Sequence, residues 1–549
     1  MIAAHCENRL GASLVDFGLF AEESILPTES IAPISFEGDW KGKYITEQPK
    51  GDWQAMSFDD TAWKEGKAAF GTDDQRNVHT PWVSNDIWVR RILNFDPVLA
   101  TSRQMYLRYS HDDVFQLFIN GKQLVNTAYE WRGDVRVDIP DSIAVTMKEG
   151  KAVIAAHCEN RMGGGLVDFG LYAELKEACQ RSVDVQATQT HYTFECGNVE
   201  LKLTFIAPYL LDEINILSQP VNYISYRAKS LDNKEHDVAI YFEMDPHKAF
   251  QSGQGTQLYE KDGMKLVKTG KESQQLWVDE DNDTPAWGYF YIGAKEDGMT
   301  GAQGDAAEMR RYFMERGSLE GMRKSDEKRY TAFAQKINLS DEYPKHLTVA
   351  FDGLYTMSYF GEDLRPYWNK DGKTTMEDVL AMAEKEYRNR VAKCYAFDRQ
   401  LMEETEKAGG REYAALCALA YRQSVSSFQL SETSNGELLY FTPKVGPVDE
   451  YYPASPLYLY YNPKLVEAML NPFFYYSESG KWAKPFPVHD MGGYPMVNGQ
   501  TNGYDMPVEE AGNALIMVAA TIQQTGNSSY AEKHWQVLTN VSSMKYKSL

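Results

Sequence analysis

The sequence predicts a multidomain protein in which β structure precedes α structure. Two observations along the chain predict this order: short apolar runs alternate with turn residues up to about residue 365, and the apolar spacing becomes helical from Thr374 onward. The third observation is length, because 549 residues exceed one compact domain of about 100–200 residues. We therefore expect a β jelly roll, a second β-sandwich and then a helical domain.

The composition is ordinary for a folded chain and excludes some partners. Hydrophobic residues make up 43% and charged residues 24% of the sequence. The formal net charge of −22 excludes a nucleic-acid partner, because phosphates need basic residues to neutralise them. No apolar run reaches the about 18 residues of a membrane span, and no secretory signal is visible. The six cysteines lack paired or metal-ligand spacing, so we predict no disulfide framework, no metal and no cofactor.

An internal repeat marks the start of the chain. Residues 2–22 match residues 154–174 at 17 of 21 positions, with an offset of 152 residues. Repeats of this kind indicate that one module, or its tail, occurs twice. We interpret residues 1–25 as the orphan tail of a repeated jelly-roll module and expect both ends to be truncated. A strand exchanged with another chain is the alternative.

Residues 30–176 have the pattern of a jelly roll. Runs of Val, Ile, Tyr and Phe alternate with Gly, Asn and Asp turns, and Asn120–Gly121 predicts a tight hairpin of positive φ. The region also contains a series of landmarks in fixed order: Trp53, Phe58-Asp59-Asp60, Trp63, AAFG at 68–71, IWVRR at 87–91 and HDD at 111–113. In this order they resemble the galactose-binding-like jelly rolls attached to polysaccharide-active enzymes. Such modules either bind sugar on a rim of loops or pack against their enzyme, and both alternatives stay open.

Residues 183–365 continue as β structure and residues 366–549 as helices. One strand is predicted from the alternation of Val199, Leu201, Leu203 and Phe205, and a strand, polar turn and strand from residues 221–245. A long helix follows Thr374, with Thr374 and Glu377 as its capping box. A second helix follows a Gly-Gly break, beginning at Arg411.

Three stretches of the helical region are predicted to be long functional loops. They cover residues 441–463, 471–500 and 501–520 and are rich in aromatic and polar residues. The third also contains a helix start, with Asp505 as N-cap and Pro507 in the first turn. Glu509 and Glu510 then lie near the positive end of the helix dipole.

The motifs in these stretches carry a second resemblance. VDEYYPASPLYLYYNP, MLNPFFYYSESGKWAKPFPVHDMGGYP, NGQ and DMPVEEAGN resemble the glutaminase A family, whose central domain belongs to the six-hairpin glycosidase superfamily. The likeness covers residues 183 to about 540. It implies that residues 183–365 form a supersandwich-like N-terminal domain and residues 366–549 part of an (α/α)6 toroid. It also implies a periplasmic or extracellular hydrolase.

The candidate site residues serve two kinds of hydrolysis. Glycoside hydrolysis needs two carboxylates across a cleft, whereas amide hydrolysis needs an activated nucleophile or water and an oxyanion donor. No G-x-S-x-G motif is present, so residue chemistry slightly favours the carboxylates, while His489 beside Asp490 offers a base. The catalytic candidates are Asp449, His489, Asp490, Glu509 and Glu510. The substrate-binding candidates are Tyr452, Trp482, Asn498, Gln500 and Asp505.

Three functions follow as alternatives. The resemblance implies hydrolysis of glutamine to glutamate and ammonia, and the second enzymatic alternative is a glycoside hydrolase acting on polysaccharide. The third is a non-catalytic carbohydrate-binding protein. Structural roles compete at each candidate: Glu509 and Glu510 as dipole-compensating acids, Asp505 as a cap and His489 as a buried structural histidine. We expect a small-molecule or glycan substrate; the oligomeric state is not predicted.

Overall fold

A computed structural model describes most of the chain, and its residues divide into two compact units with the boundary between Ala178 and Cys179. The predicted tail at residues 1–25 lies outside the described residues. These are 29–73, 75, 77–175, 178–245, 254–278, 287–295, 298–323 and 330–542.

The first unit consists of β-strands with two short helices. Its helices are α1 (Pro97–Ser102) and α2 (Asp141–Ala144). Its strands are β1 (Glu29–Ala32), β2 (Lys41–Ile45), β3 (Lys64–Lys67), β4 (Phe70–Gly71), β5 (Thr80–Pro81), β6 (Asp86–Asn94), β7 (Arg103–Ile119), β8 (Lys122–Asn126), β9 (Glu130–Asp138), β10 (Lys151–Glu159) and β11 (Leu166–Leu175). They pair in the order β3-β2-β6-β10-β7-β11-β4-β5, with β1 on β11 and with β8 and β9 on β7.

Strand β7 joins the two halves of this sheet. Its first part pairs with β11 and β9, and its last part pairs with β10 and β8. The change of partner occurs at Asp113, which has a φ of 53°, a conformation that Asp adopts more readily than most residues. The Asp113 carboxylate accepts hydrogen bonds from the backbone N–H groups of Arg161 and Met162, at 2.6 and 3.0 Å. The HDD landmark is therefore a structural bend.

The predicted hairpin and landmarks of this unit have clear structural roles. Asn120 and Gly121 connect β7 to β8 with φ values of 47° and 84°, which confirms the tight turn. Arg90 is buried and donates to the Asp60 carboxylate at 2.8 Å. The same guanidinium donates to the carbonyl of Ala55 at 3.0 Å. The irregular segment before β3 is thus fixed to the central strand β6.

The second unit begins with a β-sandwich. Its strands are β12 (Cys179–Val185), β13 (Gln189–Cys196), β14 (Val199–Ile206), β15 (Val221–Ser230), β16 (Val238–Met244), β17 (Gln254–Lys261), β18 (Met264–Lys271), β19 (Tyr289–Ala294), β20 (Thr300–Gly304), β21 (Tyr330–Ile337), β22 (Lys345–Asp352), β23 (Met357–Tyr359), β24 (Glu362–Leu364), β25 (Gln429–Glu432), β26 (Leu438–Phe441) and β27 (Met496–Val497). Eight form a sheet in the order β12-β13-β14-β15-β22-β19-β18-β17, and β16-β21-β20 form a smaller one. The remaining short strands form β24-β23-β27 and β25-β26.

The large sheet is covered on both faces. Ile224 and Ile292 pack with Phe333 of the smaller sheet in one core, while Tyr223 packs with Leu380 of the long helix in another. Neighbouring residues of one strand point to opposite faces, so Tyr223 and Ile224 serve different cores. Val199, Leu201 and Leu203 lie in the inter-sheet core as predicted. Phe205, near the end of the same strand, is 37% exposed.

Two helices, α3 (Ile214–Leu217) and α4 (Ala306–Arg316), lie between strands of the sandwich. The others follow it, which confirms the predicted order of β before α: α5 (Met376–Gly409), α6 (Arg411–Ser426), α7 (Val448–Tyr461), α8 (Pro463–Glu478), α9 (Pro507–Thr525), α10 (Ser529–Lys533) and α11 (Trp535–Ser542). Sandwich and helices belong to one compact unit, and the predicted domain boundary within it stays a prediction. No helix in the described part of the chain is both long and apolar enough to cross a membrane.

Several predictions about the helical region are wrong. The capping box of α5 consists of Thr375 and Asp378, one residue later than predicted, because the sequence offers two Thr and two acids at the same spacing. The stretch 441–463 is mostly α7 and not a loop, although Pro456 lies inside it. Ser455 Oγ donates to the Tyr452 carbonyl at 2.7 Å, which replaces the helical hydrogen bond that Pro456 cannot donate. Residues 463–478 likewise form α8.

Candidate active site

Three segments of the helical region meet at the candidate site. The chain before α7 pairs with the segment after His489: the Val445 N–H donates to the Gly492 carbonyl at 3.0 Å, and the Met491 N–H to the Val445 carbonyl at 2.9 Å. Helices α7 and α9 also pack together. This arrangement brings Asp449, His489 and Glu510 together, and we call them the acid–histidine cluster. Their oxygen and nitrogen atoms lie within 4.8 Å of one another.

Glu510 is the buried member of the acid–histidine cluster. It is 0% exposed, and its Oε2 accepts hydrogen bonds from the N–H groups of Val448 and Asp449 at 3.0 and 3.2 Å. These N–H groups belong to the first turn of α7, where no carbonyl precedes them as a partner. Burial, and then the neighbouring Asp449 carboxylate, raise the pKa of Glu510 to about 9. Its Oε1 is buried without a hydrogen-bond partner.

Asp490 fixes the orientation of His489. The Asp490 Oδ2 lies 3.0 Å from His489 Nδ1. Asp490 also accepts from the N–H groups of Gly492, Thr501 and Asn502 and from the Thr501 hydroxyl. Burial acts to raise the pKa of Asp490, but these hydrogen bonds outweigh it and hold the pKa below its usual value. Asp490 therefore supports the histidine and faces away from the cluster.

The second ring nitrogen of His489, Nε2, faces the two acids. His489 Nε2 lies 3.9 Å from Asp449 Oδ2 and 3.9 Å from Glu510 Oε1. Asp449 is partly exposed, so this side of the cluster is open to the surface. The arrangement offers two carboxyl groups and one oriented imidazole to a molecule that binds between them.

Gln500 and Asp505 form a support behind the histidine. Gln500 Oε1 accepts from the His489 N–H at 3.0 Å, and Gln500 Nε2 donates to Asp505 Oδ1 at 3.0 Å. Lys484 Nζ lies 2.5 Å from the other Asp505 oxygen. The prediction that Asp505 caps α9 is wrong, because Met506 occupies the N-cap position without a side-chain hydrogen bond. The lysine and the glutamine take up both carboxylate oxygens of Asp505.

The other predicted residues lie outside the acid–histidine cluster. Glu509 and Asn498 are exposed, and Tyr452 is 38% exposed. Trp482 packs on the Tyr476 ring and donates to the Phe486 carbonyl at 2.5 Å. None of these four has a described hydrogen bond to the cluster. The catalytic role of Glu509 stays a prediction, as do the substrate-binding roles of the other three.

Sequence analysis missed Tyr451 and Thr501. Tyr451 is buried, and its hydroxyl accepts from the N–H groups of Thr442 and Gly446, each at 3.1 Å. It thereby fixes the segment that leads to Asp449. Nothing distinguishes this tyrosine in a stretch with four others between residues 451 and 461. Thr501, whose hydroxyl donates to Asp490, directly follows the NGQ motif. Its place beside that motif is the feature of the sequence that could have identified it.

A cavity of about 420 Å³ lies elsewhere in the second unit. Aromatic side chains line much of it, among them Trp287, Phe428 and Tyr494. Pro443 also lines it, a short distance along the chain from Asp449. No member of the acid–histidine cluster lines this cavity, so cavity and cluster are distinct features.

Comparison with protein families accounts for most of the second unit. Residues 188–404 match a domain of unknown function, DUF5127. Residues 410–543 match the glutaminase A six helical-hairpin domain. The chain belongs to the glutaminase A family. The family assignment and the helices of the second unit agree with the predicted six-hairpin class of fold.

Two curated fungal proteins are similar to this glutaminase A family member. It is 26% identical over 387 residues to glutaminase A of Aspergillus oryzae, covering 65% of this chain and 56% of the relative. It is 25% identical over 359 residues to a probable glutaminase of Arthroderma benhamiae, a match that covers 58% of this chain and 41% of the relative. The chain spans about half the length of these curated relatives.

Solved structures give weaker matches to the family member. A calcium-binding mutant of Bacteroides uniformis β-glucuronidase 2 matches 40% of this chain and 33% of its own, with 14% identity and a TM-score of 0.22. A β-glucuronidase of Ruminococcus gnavus matches 51% of this chain and 44% of its own, with 14% identity and a TM-score of 0.21. TM-scores this low do not indicate a common fold.

Proposed function

We propose that this glutaminase A family member hydrolyses the side-chain amide of glutamine, releasing glutamate and ammonia. The observation that carries the proposal is the acid–histidine cluster, in which Asp449, His489 and Glu510 converge from separate segments. The names of the two fungal relatives support the choice of substrate. The part of the chain described here offers no Ser-His-Asp arrangement at this site, so water is the attacking group.

The reaction needs proton transfers that the cluster can perform. A water oxygen bonds to the amide carbon, the C–N bond breaks, and the proton lost by water leaves with the ammonia. Asp449 and His489 Nε2 offer acceptors 3.9 Å apart, on the open side of the cluster. Asp490 keeps the imidazole in one orientation, which is the support that a proton-transfer group or a ligand requires.

Glycoside hydrolysis is the second candidate. Asp449 and Glu510 place carboxyl oxygens within 4.8 Å of each other, close to the about 5–5.5 Å separation typical of retaining glycosidases. The six helical-hairpin domain is also consistent with this chemistry. The oriented imidazole between the carboxyl groups favours the amidase, because a carboxylate pair alone suffices for a glycosidase.

Parallel assays on the 549-residue chain separate the two candidates. We expect ammonia release from L-glutamine, and no sugar release from a panel of aryl glycosides and polysaccharides. Asp449→Asn should lower the rate of ammonia release by about 100-fold or more, as is typical when a proton-transfer group is lost. Glu509→Gln is the matched control, because Glu509 lies beside Glu510 but is exposed.

Either of two results contradicts the proposal. Sugar release that depends on Asp449, without ammonia, identifies a glycosidase. Ammonia release that is equal in the wild-type chain and in Asp449→Asn places the amidase chemistry elsewhere.

A further inference from the structure

We propose that the acid–histidine cluster binds one divalent cation of the zinc class, through Asp449 Oδ2, His489 Nε2 and Glu510 Oε1. One imidazole and two carboxylates are ligands that Zn²⁺ accepts in catalytic sites, where three protein groups leave one position for water. The proposal deepens the function given above. The evidence for the metal site is geometric, whereas a part of the ion in catalysis rests on the proposed function.

The first observation is an oxygen that lacks a partner. Glu510 is 0% exposed, and its Oε1 is buried with no hydrogen bond. Its other oxygen already accepts from Val448 and Asp449. An unpaired buried carboxylate oxygen costs several kcal/mol of free energy unless a donor or a cation compensates it. The nearest described ionic partner of Oε1 is His489 Nε2, 3.9 Å away, so the oxygen points into the cluster.

The second observation is the hydrogen on His489. Asp490 accepts four hydrogen bonds from other N–H and O–H groups, so it also acts as the acceptor for His489 Nδ1. The neutral ring then carries its hydrogen on Nδ1 and directs the lone pair of Nε2 towards two carboxyl groups. The three atoms face one another, an arrangement that a positive charge between them, a proton or a metal ion, stabilises.

The distances fit a metal ion better than a hydrogen. His489 Nε2 lies 3.9 Å from each of the two carboxyl oxygens, and a hydrogen bond needs about 2.7–3.2 Å. Two tetrahedral ligands about 2.0–2.2 Å from one ion lie about 3.3–3.6 Å apart, so the two histidine pairs need to close by only a few tenths of an ångström. The third pair, Asp449 and Glu510, lies within 4.8 Å. Only small side-chain movements separate this arrangement from coordination.

The surroundings provide the support that metal sites need. A metal-ligating histidine almost always donates its other N–H to a carboxylate or a carbonyl, and Asp490 is that acceptor. Gln500 further fixes the backbone of His489. Asp449 lies on the partly exposed side, which leaves the fourth position open to water. A zinc-bound water has a pKa of about 7, so the ion would supply the attacking hydroxide, and His489 Nε2 would then act as a ligand and not as the proton acceptor.

Titration of the metal-free full chain with Zn²⁺ tests the inference. Isothermal calorimetry should show one equivalent of Zn²⁺, and Co²⁺ should give the absorption bands of a low-coordinate site. His489→Gln and Glu510→Gln should each weaken Zn²⁺ binding by about 100-fold or more, because each removes a ligand. Asp490→Asn should weaken it by about 10–100-fold, as expected for a positioning residue. Glu509→Gln, the exposed neighbour, should bind Zn²⁺ like the wild-type chain.

Two outcomes overturn the metal site: no stoichiometric binding, and equal binding by wild-type chain and His489→Gln. Full ammonia release by metal-free protein in the presence of chelator overturns the part of the ion in catalysis and leaves the proposed function intact. Conversely, one equivalent of Zn²⁺ lost in His489→Gln, with neither ammonia nor sugar released, supports the metal site and contradicts the proposed function. Circular dichroism of each variant identifies any that fails to fold.

Discussion

Glu509 and Glu510 are neighbours in one motif but have different environments. Successive residues of a helix point about 100° apart, so one of two adjacent glutamates turns inward and the other outward. Glu510 turns towards α7 and is 0% exposed, whereas Glu509 is exposed. The sequence predicts both as candidates, because the facing of a helix depends on the partner against which it packs. That partner is not visible in a local motif.

The same limit applies to His489 and Asp490. Both are predicted as catalytic candidates, but the structure assigns them different positions. Asp490 points to the backbone of residues 492–502 and His489 to the acids. In an irregular segment no regular repeat determines the directions in which adjacent side chains point. The sequence therefore predicts which residues form the site but not how they are arranged. Their catalytic roles stay predictions.

His111 in the first unit makes stability depend on pH. It is 0% exposed, it stacks on Phe115, and its Nε2 has no hydrogen-bond partner. Burial lowers its pKa, although the Asp113 carbonyl, Glu130 and Asp113 act in the opposite direction and Arg132 in the same one. Below about pH 6.5 the unfolded chain therefore binds a proton that the folded chain rejects. Each tenfold difference in proton affinity contributes up to about 1.4 kcal/mol.

We expect the stability of the first unit to fall as the pH is lowered from about 7 to about 5. In His111→Phe the same change of pH should lower the stability less than in the wild-type chain. Phenylalanine keeps the ring contacts but does not titrate. The measurement is the thermal midpoint of the first unit at each pH, with the second unit of the same chain as internal reference. Equal slopes for His111→Phe and wild type would show that other groups cause the pH dependence.

At the scale of elements, helix starts are predicted better than helix interiors. The prolines of α7 and α8 resemble breakers, yet both segments are helical because the core and Ser455 compensate for them. The start of α5 was predicted to within one residue. Local chemistry determines a cap, whereas tertiary packing determines whether a proline is tolerated.

The capping box of α5 permits a comparison of adjacent threonines. Thr375 accepts from the Asp378 N–H at 3.2 Å, and Asp378 accepts from the Thr375 N–H at 3.0 Å. Thr375→Ala should lower the free energy of unfolding by about 1 kcal/mol. Thr374→Ala, the matched control, should change it by less than about 0.5 kcal/mol. Urea denaturation measures both; a larger effect at Thr374 would move the cap back to the position predicted from sequence.

At the scale of the whole molecule, the order of β and α structure was predictable but the pairing of strands was not. Residues 221–245 form two strands as predicted, yet β15 and β16 belong to different sheets. Strand β15 pairs with β22, whose residues lie more than 100 positions away. Alternation defines which face of a strand is apolar. It carries no information about a partner so distant in sequence.

Asp398 connects the sandwich to the helices. It lies in α5, is 3% exposed, and accepts from the Thr188 N–H and hydroxyl at 2.8 Å each and from Gln189 Nε2 at 3.0 Å. These donors stand at the start of β13. A single buried carboxylate thus satisfies three polar groups at the junction of helix and sheet.

Asp398→Ala should destabilise the second unit by about 3 kcal/mol, because it removes the buried acceptor of the Thr188 N–H and of Gln189 Nε2 and leaves the Thr188 hydroxyl only the Cys394 carbonyl at 3.5 Å. Calorimetry should show the transition of the second unit at lower temperature and that of the first unit unchanged. Glu403→Ala is the matched control, since Glu403 is exposed on the same helix and should shift stability by less than about 0.5 kcal/mol. If sandwich and helices are stabilised as one body, the second unit of the variant still melts in a single step. Two separate steps would show that the sandwich folds without its helices and that Asp398 only joins two independent domains.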